Sequence, residues 1–389
     1  MQSDRVLTKP FVLAMLAELA MCMSIGMLIV VLPVFANDEL GAGSFGVALV
    51  VGAVSPMILV SQPIAGRIGD RKGRRVLIVA GALIAAASVA GYTLADSIEV
   101  LIAFRLFTGL GEAMLLVGAA TMVTDLAPES RRGEALSLYS LGLWGGLGLG
   151  PVLGELVLGD GRFDAVWLLA TGFCLLAAVI GTTLPETAPE RPEVDPWTAS
   201  RLLHPAAIGP GSVLALTLLG FAAVGTFAAL YARELGMDGA GEVFLLFSIV
   251  VVATRIVARQ VPDRLGPKPA ASGALVLIAI GLLVIGVWNV PAGLYVGTVI
   301  LAFGHALAFP SLMTLAVNSA PASERSSVVG TFTAFTELGF AVGAVSLGAV
   351  ATAVGYDGVF VACALGPLLG VLVLSRLAPP RAVPLPDAA

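Results

Sequence analysis

One charged segment lies between two long apolar runs of the chain: Gly66-Arg67-Ile68-Gly69-Asp70-Arg71-Lys72-Gly73-Arg74-Arg75. Its glycines allow the backbone to reverse tightly, and its polar side chains prefer water to hydrocarbon. The flanking runs are each about 20 residues long, which is enough to cross a hydrocarbon core of roughly 30 Å. The segment is therefore predicted to be a short loop at a membrane surface, between two membrane-spanning helices.

The composition is that of an integral membrane protein. Of the 389 residues, 58% are hydrophobic and only 12% are charged, whereas about a quarter of residues are charged in soluble domains. Apolar runs recur along the chain with glycine frequent inside them, which favours helices over barrel strands. We predict an all-α membrane protein with twelve spans, at residues 10–35, 44–65, 75–95, 98–122, 133–158, 164–184, 209–232, 242–261, 270–290, 292–317, 327–353 and 357–376.

Basic residues predict the orientation of these spans. Twelve spans place both termini on one side, and 17 lysines and arginines then fall on that side, against only Arg162 and Arg233 on the other. Loops rich in lysine and arginine stay in the cytoplasm. We therefore expect a multi-pass protein of the cytoplasmic (inner) membrane with both termini cytoplasmic. It should be surrounded by the lipid bilayer, monomeric and without a nucleic-acid partner.

The sequence contains an internal repeat. The segment that begins at Asp263 echoes the one that begins at Asp70, at an offset of 263 − 70 = 193 residues. The same offset relates three pairs of glycines: Gly111 and Gly304, Gly146 and Gly339, Gly150 and Gly343. A proline-rich polar stretch separates the two copies. We predict an N-terminal six-helix bundle, a cytoplasmic linker and a C-terminal six-helix bundle, at residues 1–184, 185–208 and 209–389.

Few ionisable side chains lie inside the predicted spans, and spans three, six, nine and twelve contain none. An ionisable group at the centre of a membrane helix costs about 2.5 to 3.5 kcal/mol, so each one is a candidate for function. If every third helix faces lipid, the other eight enclose a polar cavity. The ionisable residues of those eight spans are Glu18, Arg105, Glu112, Glu155, Arg255, His305 and Glu337.

Three of these groups are assigned to proton coupling. Glu18 lies about eight residues into the first span, roughly 12 Å along the helix, where burial favours the neutral acid that can carry a proton. Arg105 and Glu112 are seven residues apart in the sequence and share one face of the fourth helix. The alternatives are a structural carboxylate at Glu18 and, at Arg105, a structural arginine bound to helix carbonyls.

The substrate cavity is assigned three further residues. Glu337 lies near the middle of the eleventh span, and His305 and Trp144 are expected beside it. A lone histidine is either a satisfied core residue or a titratable group. Glu155 and Arg255 lie near the ends of their spans, where extension of each side chain to the membrane surface accounts for both.

Three motifs resemble those of the major facilitator superfamily. The opening segment, Gly-x-x-x-Asp-Arg-x-Gly-Arg-Arg, resembles the family's loop between helices two and three. The fourth span resembles a motif whose arginine is linked with proton transfer, through Leu101, Arg105, Gly109 and Gly111. The fifth span resembles the antiporter motif found in the family's exporters, through Gly142, Gly146, Gly150, Pro151 and Gly154.

Small residues four positions apart in this fifth-span motif form one smooth helix face, which allows a neighbouring helix to approach closely. Pro151 permits a bend, and Glu155 stands where the family commonly has a second glycine. The spacing alone indicates helix packing. Together with Pro151, the resemblance favours export over import.

The resemblance implies the major facilitator fold, in which two six-helix bundles related by pseudo-two-fold symmetry enclose a substrate cavity. It also implies that Arg74 pairs with Asp125, and that Asp70 lies beside the start of the eleventh helix, near Ser326 and Ser327. The alternative for this loop is a positively charged topology anchor. The expected gating residues are Gly66, Asp70, Arg71, Gly73, Arg74, Arg75 and Asp125.

The sequence contains no phosphate-binding, His-Glu-x-x-His or Cys-x-x-Cys motif, so we expect no enzyme activity, no metal and no cofactor, with the proton gradient as energy source. We expect a proton-coupled secondary transporter that exports small molecules, as in drug or metabolite efflux and multidrug resistance. The acidic cavity residues indicate a cationic or amphipathic substrate. The alternatives are a proton-coupled nutrient importer and a non-transporting membrane sensor or scaffold.

Overall fold

The computed structural model describes residues 6–128, 131–187, 203–258, 264–320 and 325–377. These residues form α-helices, one short 3-10 helix at Gly91–Leu94, and no strand. The helices are α1 (Lys9–Asp38), α2 (Gly43–Gly52), α3 (Val54–Lys72), α4 (Arg74–Ala90), α5 (Ile98–Leu126), α6 (Arg132–Leu158), α7 (Phe163–Thr182), α8 (Pro205–Glu234), α9 (Gly241–Val257), α10 (Pro267–Val287), α11 (Pro291–Val317), α12 (Arg325–Cys363) and α13 (Leu365–Arg376).

Ten helical stretches in the described part of the chain are long and apolar enough to cross a membrane. Two of them join neighbouring helices, α2 with α3 over Gly43–Lys72 and the end of α12 with α13 over Ser346–Arg376. Helix α9 has 17 residues, and the apolar part of α12 at Val328–Gly343 is also short. The predicted all-α membrane fold is confirmed, while the count of twelve spans stays a prediction.

The charged segment at residues 66–75 is more helical than the sequence predicts. Helix α3 continues to Lys72 and α4 begins at Arg74, so the turn is reduced to Gly73. Gly73 has a φ of 111°, a conformation that favours glycine. The helix extends this far because Arg71 and Lys72 lie in its last turn, where basic side chains complement the helix dipole.

The glycine face of α6 packs against α1. A Cβ atom added at Gly150 would lie 2.6 Å from the Met23 carbonyl oxygen, and one added at Gly154 would lie 3.0 Å from Met27 Cα. Gly142 and Gly146 face the preceding turns of α1 in the same way. The close helix approach predicted from the small residues is therefore present, and it is made to the helix that carries Glu18.

Packing in the second half of the chain follows the first at the same offset of 193 residues. A Cβ atom at Gly111 would lie 2.6 Å from the Gly81 carbonyl oxygen, and one at Gly304 would lie 2.6 Å from the Ala274 carbonyl oxygen, where 81 + 193 = 274. Helices α4 and α5 thus pack as α10 and α11 do, and α1 and α6 as α8 and α12 do. Between the halves, α6 contacts α9 and α2 contacts α12. The boundaries predicted for the two bundles stay a prediction.

Candidate functional site

Two carboxyl groups are buried in the interior of the first half. Glu18 in α1 is 3% exposed and Glu112 in α5 is 5% exposed. Among the described residues neither forms an ion pair, and Glu18 Oε2 has no hydrogen-bond partner. The hydroxyl of Tyr139 on α6 is buried beside the Glu18 carboxyl group, close enough to interact with it. Both carboxyl groups therefore lie inside the protein, as predicted.

Glu337 lies on α12 in the other half and is half-buried. It is close enough to Glu112 for the two carboxyl groups to interact electrostatically. Since a carboxylate repels another carboxylate, protonation of one group is favoured by charge on the other. The structure therefore brings together acidic residues from both halves of the chain.

Arg105 binds backbone carbonyls. Its Nε and Nη2 donate to the Val50 and Val51 oxygens at 3.2 and 3.0 Å, just before the break between α2 and α3. Such a break leaves carbonyls without their helical donors. Nη1 lies 3.5 Å from the Tyr92 hydroxyl, which also bonds Thr108 at 2.7 Å. These contacts match the alternative role for Arg105, that of a structural arginine bound to helix carbonyls. Glu112 also lies close enough to Arg105 for the two charges to interact.

His305 lies within a group of rings that we call the aromatic cluster, consisting of Trp144, Phe221, Phe247, His305 and Phe340. The His305 ring centroid is 4.9 Å from that of Phe221, 5.5 Å from that of Phe247 and 5.7 Å from that of Trp144. Trp144 comes from α6, whereas the other four rings come from the second half of the chain. The cluster is thus built at the boundary between the halves.

A cavity of about 410 Å³ lies beside the aromatic cluster, between α6 and α9. Trp144 and Arg255 both line it, together with Ser137, Ser140, Leu141 and Val252. The Arg255 guanidinium carbon lies 5.6 Å from the Trp144 ring centroid, close enough for a cation–π interaction. The Arg255 side chain turns over the indole ring and its Nε is buried, while its extension to the membrane surface stays a prediction.

The charged segment carries a network of ionic and hydrogen bonds within the first half. Arg74 Nη1 lies 2.5 Å from Asp70 Oδ1, and Arg74 Nε lies 3.4 Å from Asp125 Oδ2. The Arg74–Asp125 pair expected from the resemblance is therefore present. Glu186 accepts the Arg74 backbone N–H at 2.7 Å and fills the space where Gly73 would carry a side chain.

Several predictions about this region are not addressed by the described residues. Asp263, which begins the second copy of the segment, lies outside them, as do the side chains of Ser326 and Ser327. The gating role of Asp70, and of its neighbours Gly66, Arg71 and Arg75, stays a prediction.

The opposite end of the molecule carries contacts between the halves, and sequence reasoning did not identify them. Glu155 at the end of α6 accepts the backbone N–H groups of Ala240 and Gly241 at 2.6 and 2.7 Å, at the start of α9. Arg233 Nη1 lies 2.7 Å from Asp38 Oδ2. Glu155 thus caps a helix of the other half, and backbone donors of this kind leave no sequence motif.

Relatives of this chain are bacterial membrane proteins. Uncharacterized MFS-type transporter STM4428 of Salmonella typhimurium strain LT2 is 28% identical over 368 residues, which cover 91% of this chain and 93% of the relative. Uncharacterized MFS-type transporter YhhS of Escherichia coli strain K12 is 28% identical over 376 residues, which cover 93% of this chain and 91% of the relative.

Solved structures share the fold. The human organic anion transporter MFSD10 (TETRAN) has a TM-score of 0.70 and 18% identity, covering 94% of this chain and 98% of that chain. A peptide transporter, POT, has a TM-score of 0.78 and 16% identity, covering 94% of each chain. The family model of the Major Facilitator Superfamily matches residues 14–261 and 211–389. Together with the helical architecture, this match shows that the chain belongs to the Major Facilitator Superfamily of transporters.

Proposed function

We propose that this transporter is a proton-coupled exporter of small molecules in the cytoplasmic membrane. The observation that carries the proposal is the burial of Glu18, a residue that is 3% exposed and forms no ion pair among the described residues. A buried carboxyl group without a cationic partner is held neutral by desolvation, and it can release its proton when water or a charged group reaches it. Membrane transporters use such acids as proton relays.

Export rather than import is supported by the fifth-span motif. Gly142, Gly146, Gly150 and Gly154 pack directly on α1, so the helix of the antiporter motif and the helix of Glu18 form one rigid pair. A proton-driven change at Glu18 would be transmitted to α6, which also forms part of the wall of the cavity. The contact between α1 and α6 would thus couple proton movement at Glu18 to the helix that carries the antiporter motif.

Alternating access provides the transport cycle. The halves meet through Glu155 and Asp38 at one end of α6 and α1, while the cavity lies toward the other end of α6. With the termini in the cytoplasm, as the basic residues predict, the structure corresponds to a state closed toward the outside. An amphipathic substrate suits a lining that combines apolar side chains with Trp144 and Arg255, and the cationic substrate indicated by the acids stays a prediction.

The test measures proton movement driven by substrate. Purified protein is reconstituted with known orientation into vesicles containing a pH-sensitive dye, and a panel of aromatic anions, cations and neutral compounds is added. An exporter moves protons in the direction opposite to the substrate, so proton flux into the compartment that the substrate leaves is expected. Glu18→Gln should abolish this flux while retaining protein level, because glutamine cannot release a proton.

The control is Glu39→Gln, which removes an acid outside the interior at the end of α1 and should leave the flux unchanged. Flux of protons and substrate in the same direction would instead identify the importer. Absence of flux with every compound of the panel would favour the sensor or scaffold. Substrate-driven flux that Glu18→Gln leaves intact would remove this residue from the coupling.

A further inference from the structure

The cavity between α6 and α9 carries a positive charge that the described residues do not neutralise. Arg255 lines the cavity, and none of the described carboxylates forms an ion pair with it. The acid in the lining, Glu134, is engaged elsewhere, since Arg131 Nε and Nη2 donate to its two oxygens at 2.7 and 2.8 Å. The wall formed by Arg255 is therefore electropositive.

Two hydrogen-bond donors at this wall lack acceptors. Arg255 Nε and Trp144 Nε1 are both buried, and neither has a partner in the described part of the chain. Trp144 as a whole is only 5% exposed. Buried donors are nearly always paired in folded proteins, and an unpaired donor therefore requires an explanation. An acceptor supplied by a bound ligand would be such an explanation.

A third polar group completes the set. Ser140, one helical turn before Trp144 on α6, has its Oγ 3.5 Å from Arg255 Nη1. The Ser140 hydroxyl donates to the Ser137 carbonyl oxygen at 2.7 Å and accepts from Arg255, so it holds the guanidinium group in place. Arg255 Nε and Trp144 Nε1 remain to donate hydrogen bonds to the two oxygens of a carboxylate, and neither donor can pair with an ammonium group.

The rest of the cavity lining is mostly apolar, through Leu138, Leu141, Val252 and Ile256, and Trp144 joins it to the aromatic cluster. The Trp144 ring lies 5.8 Å from that of Phe247 and 5.7 Å from that of His305, measured between ring centroids. Aromatic rings prefer stacked or edge-to-face neighbours at such distances. The volume of about 410 Å³ falls within the range of roughly 300 to 1,000 Å³ that small-molecule sites occupy. A planar apolar ligand with one anionic group fits this combination.

We propose that the cavity binds an aromatic carboxylate, whose carboxylate group is held by Arg255 and Trp144 and whose ring lies against the apolar lining of the cavity. The inference rests on the proposed transport function and specifies the chemical class of its substrate. It departs from the cationic ligand indicated by the sequence, because the charge on the wall of the cavity is positive. The buried acids Glu18 and Glu112 are left free for protons.

Binding to the full-length protein in detergent micelles tests the inference. Equilibrium dialysis compares 1-naphthoate with two matched probes, the neutral 1-naphthamide and the cationic 1-naphthylmethylammonium. Wild-type protein is expected to bind naphthoate at least about ten-fold more tightly than either matched probe, because a charge-assisted hydrogen bond exceeds a neutral one. Arg255→Gln should weaken naphthoate binding about ten- to a hundred-fold and leave naphthamide binding unchanged.

Two further variants separate binding from folding. Trp144→Phe retains an aromatic ring but removes the indole N–H, and it should weaken naphthoate binding several-fold. Ser140→Ala should act in the same direction. Arg162→Gln, which removes a positive charge beyond the end of α6 farthest from the cavity, is the matched control and should leave binding unchanged. Size-exclusion chromatography verifies each variant, and if Arg255→Gln does not fold, Trp144→Phe and Ser140→Ala decide.

Equal binding of naphthoate and naphthamide to wild-type protein would overturn the inference, as would naphthoate binding unaffected by these substitutions. The result is independent of the proposed proton coupling. Proton flux driven by other compounds, without Arg255-dependent naphthoate binding, would retain the exporter and remove the anion site. Arg255-dependent naphthoate binding without Glu18-dependent proton flux would retain the anion site and remove the coupling.

Discussion

At Arg105 one side chain replaces the hydrogen-bond donors that a helix break removes. Its guanidinium binds the Val50 and Val51 oxygens where α2 ends, and the α2–α3 break would otherwise leave these oxygens unsatisfied within the membrane. These contacts give the arginine a structural role, while its link with proton transfer stays a prediction. Only a planar group with several donors can serve two carbonyls and the Tyr92 hydroxyl together.

Substitution of Arg105 should therefore lower stability. For Arg105→Gln we expect a loss of about 2 kcal/mol or more in the free energy of unfolding, because buried carbonyls lose their donors. Arg105→Lys should lose less, since an ammonium group can still donate to one carbonyl. Unfolding in a mixed-micelle titration measures both, with Arg162→Gln as the control. Wild-type stability of Arg105→Gln would contradict the structural role.

The burial of single acidic residues could be predicted from the sequence, whereas their hydrogen-bond partners could not. Burial of Glu18 and Glu112 was predictable because acids inside apolar runs are rare and must face the interior. The partner of Glu155 was not predictable, because it consists of backbone N–H groups of Ala240 and Gly241. Every residue except proline carries such a group, so no pattern in the sequence indicates which carboxylate accepts from it.

At the scale of elements, the pairing of α1 with α6 depends on glycines. Backbone atoms of α1 occupy the space where side chains at Gly142, Gly146, Gly150 and Gly154 would lie. The sequence predicts a close helix contact from this spacing, but the neighbour could not be identified, since any helix with small residues could fill the role. The structure identifies α1, where Gly26 faces Gly150 and Pro151.

A methyl group on this face should separate the two helices. In Gly146→Ala the added Cβ would lie 2.7 Å from the backbone carbon of Cys22, and overpacking of this kind costs about 1 to 3 kcal/mol. We expect a lower free energy of unfolding together with reduced transport. Gly172→Ala in α7 is the matched control because no atom lies within 4 Å of its added Cβ. Equal stability of the two variants would argue against a rigid α1–α6 pair.

For the molecule as a whole, the polar contacts of Arg233 and Glu155 join the halves at the end opposite the charged segment, beside the packing of Gly348 in α12 against Phe45 and Ala48 in α2. The Arg233–Asp38 pair is about 40% exposed on each side chain, and ion pairs of this kind contribute little in water. The bonds from Ala240 and Gly241 to half-buried Glu155 are charge-assisted and shorter than usual. We infer that Glu155 is the stronger of these two polar contacts.

Removal of this carboxylate should open the same end. Spin labels are attached at two exposed positions through Asp160→Cys and Asp238→Cys. Glu155→Ala is expected to raise the ratio of the long-distance to the short-distance population by about ten-fold or more. Asp38→Asn should shift it much less, and Glu39→Gln should not change it. Distances measured by pulsed electron resonance provide the test, and an unchanged distribution in Glu155→Ala would assign the closure to other contacts.

The offset of 193 residues between the two copies also shows where their side chains differ. Glycine contacts are retained between the copies, yet Glu18 corresponds to Gly211, since 18 + 193 = 211, and Trp144 corresponds to Glu337, since 144 + 193 = 337. The two copies thus share their glycine contacts between helices but differ in the side chains at these site positions. If the proton is carried within the first copy and the substrate is bound at the boundary between the copies, substitutions at that boundary can change the substrate without altering the proton carrier.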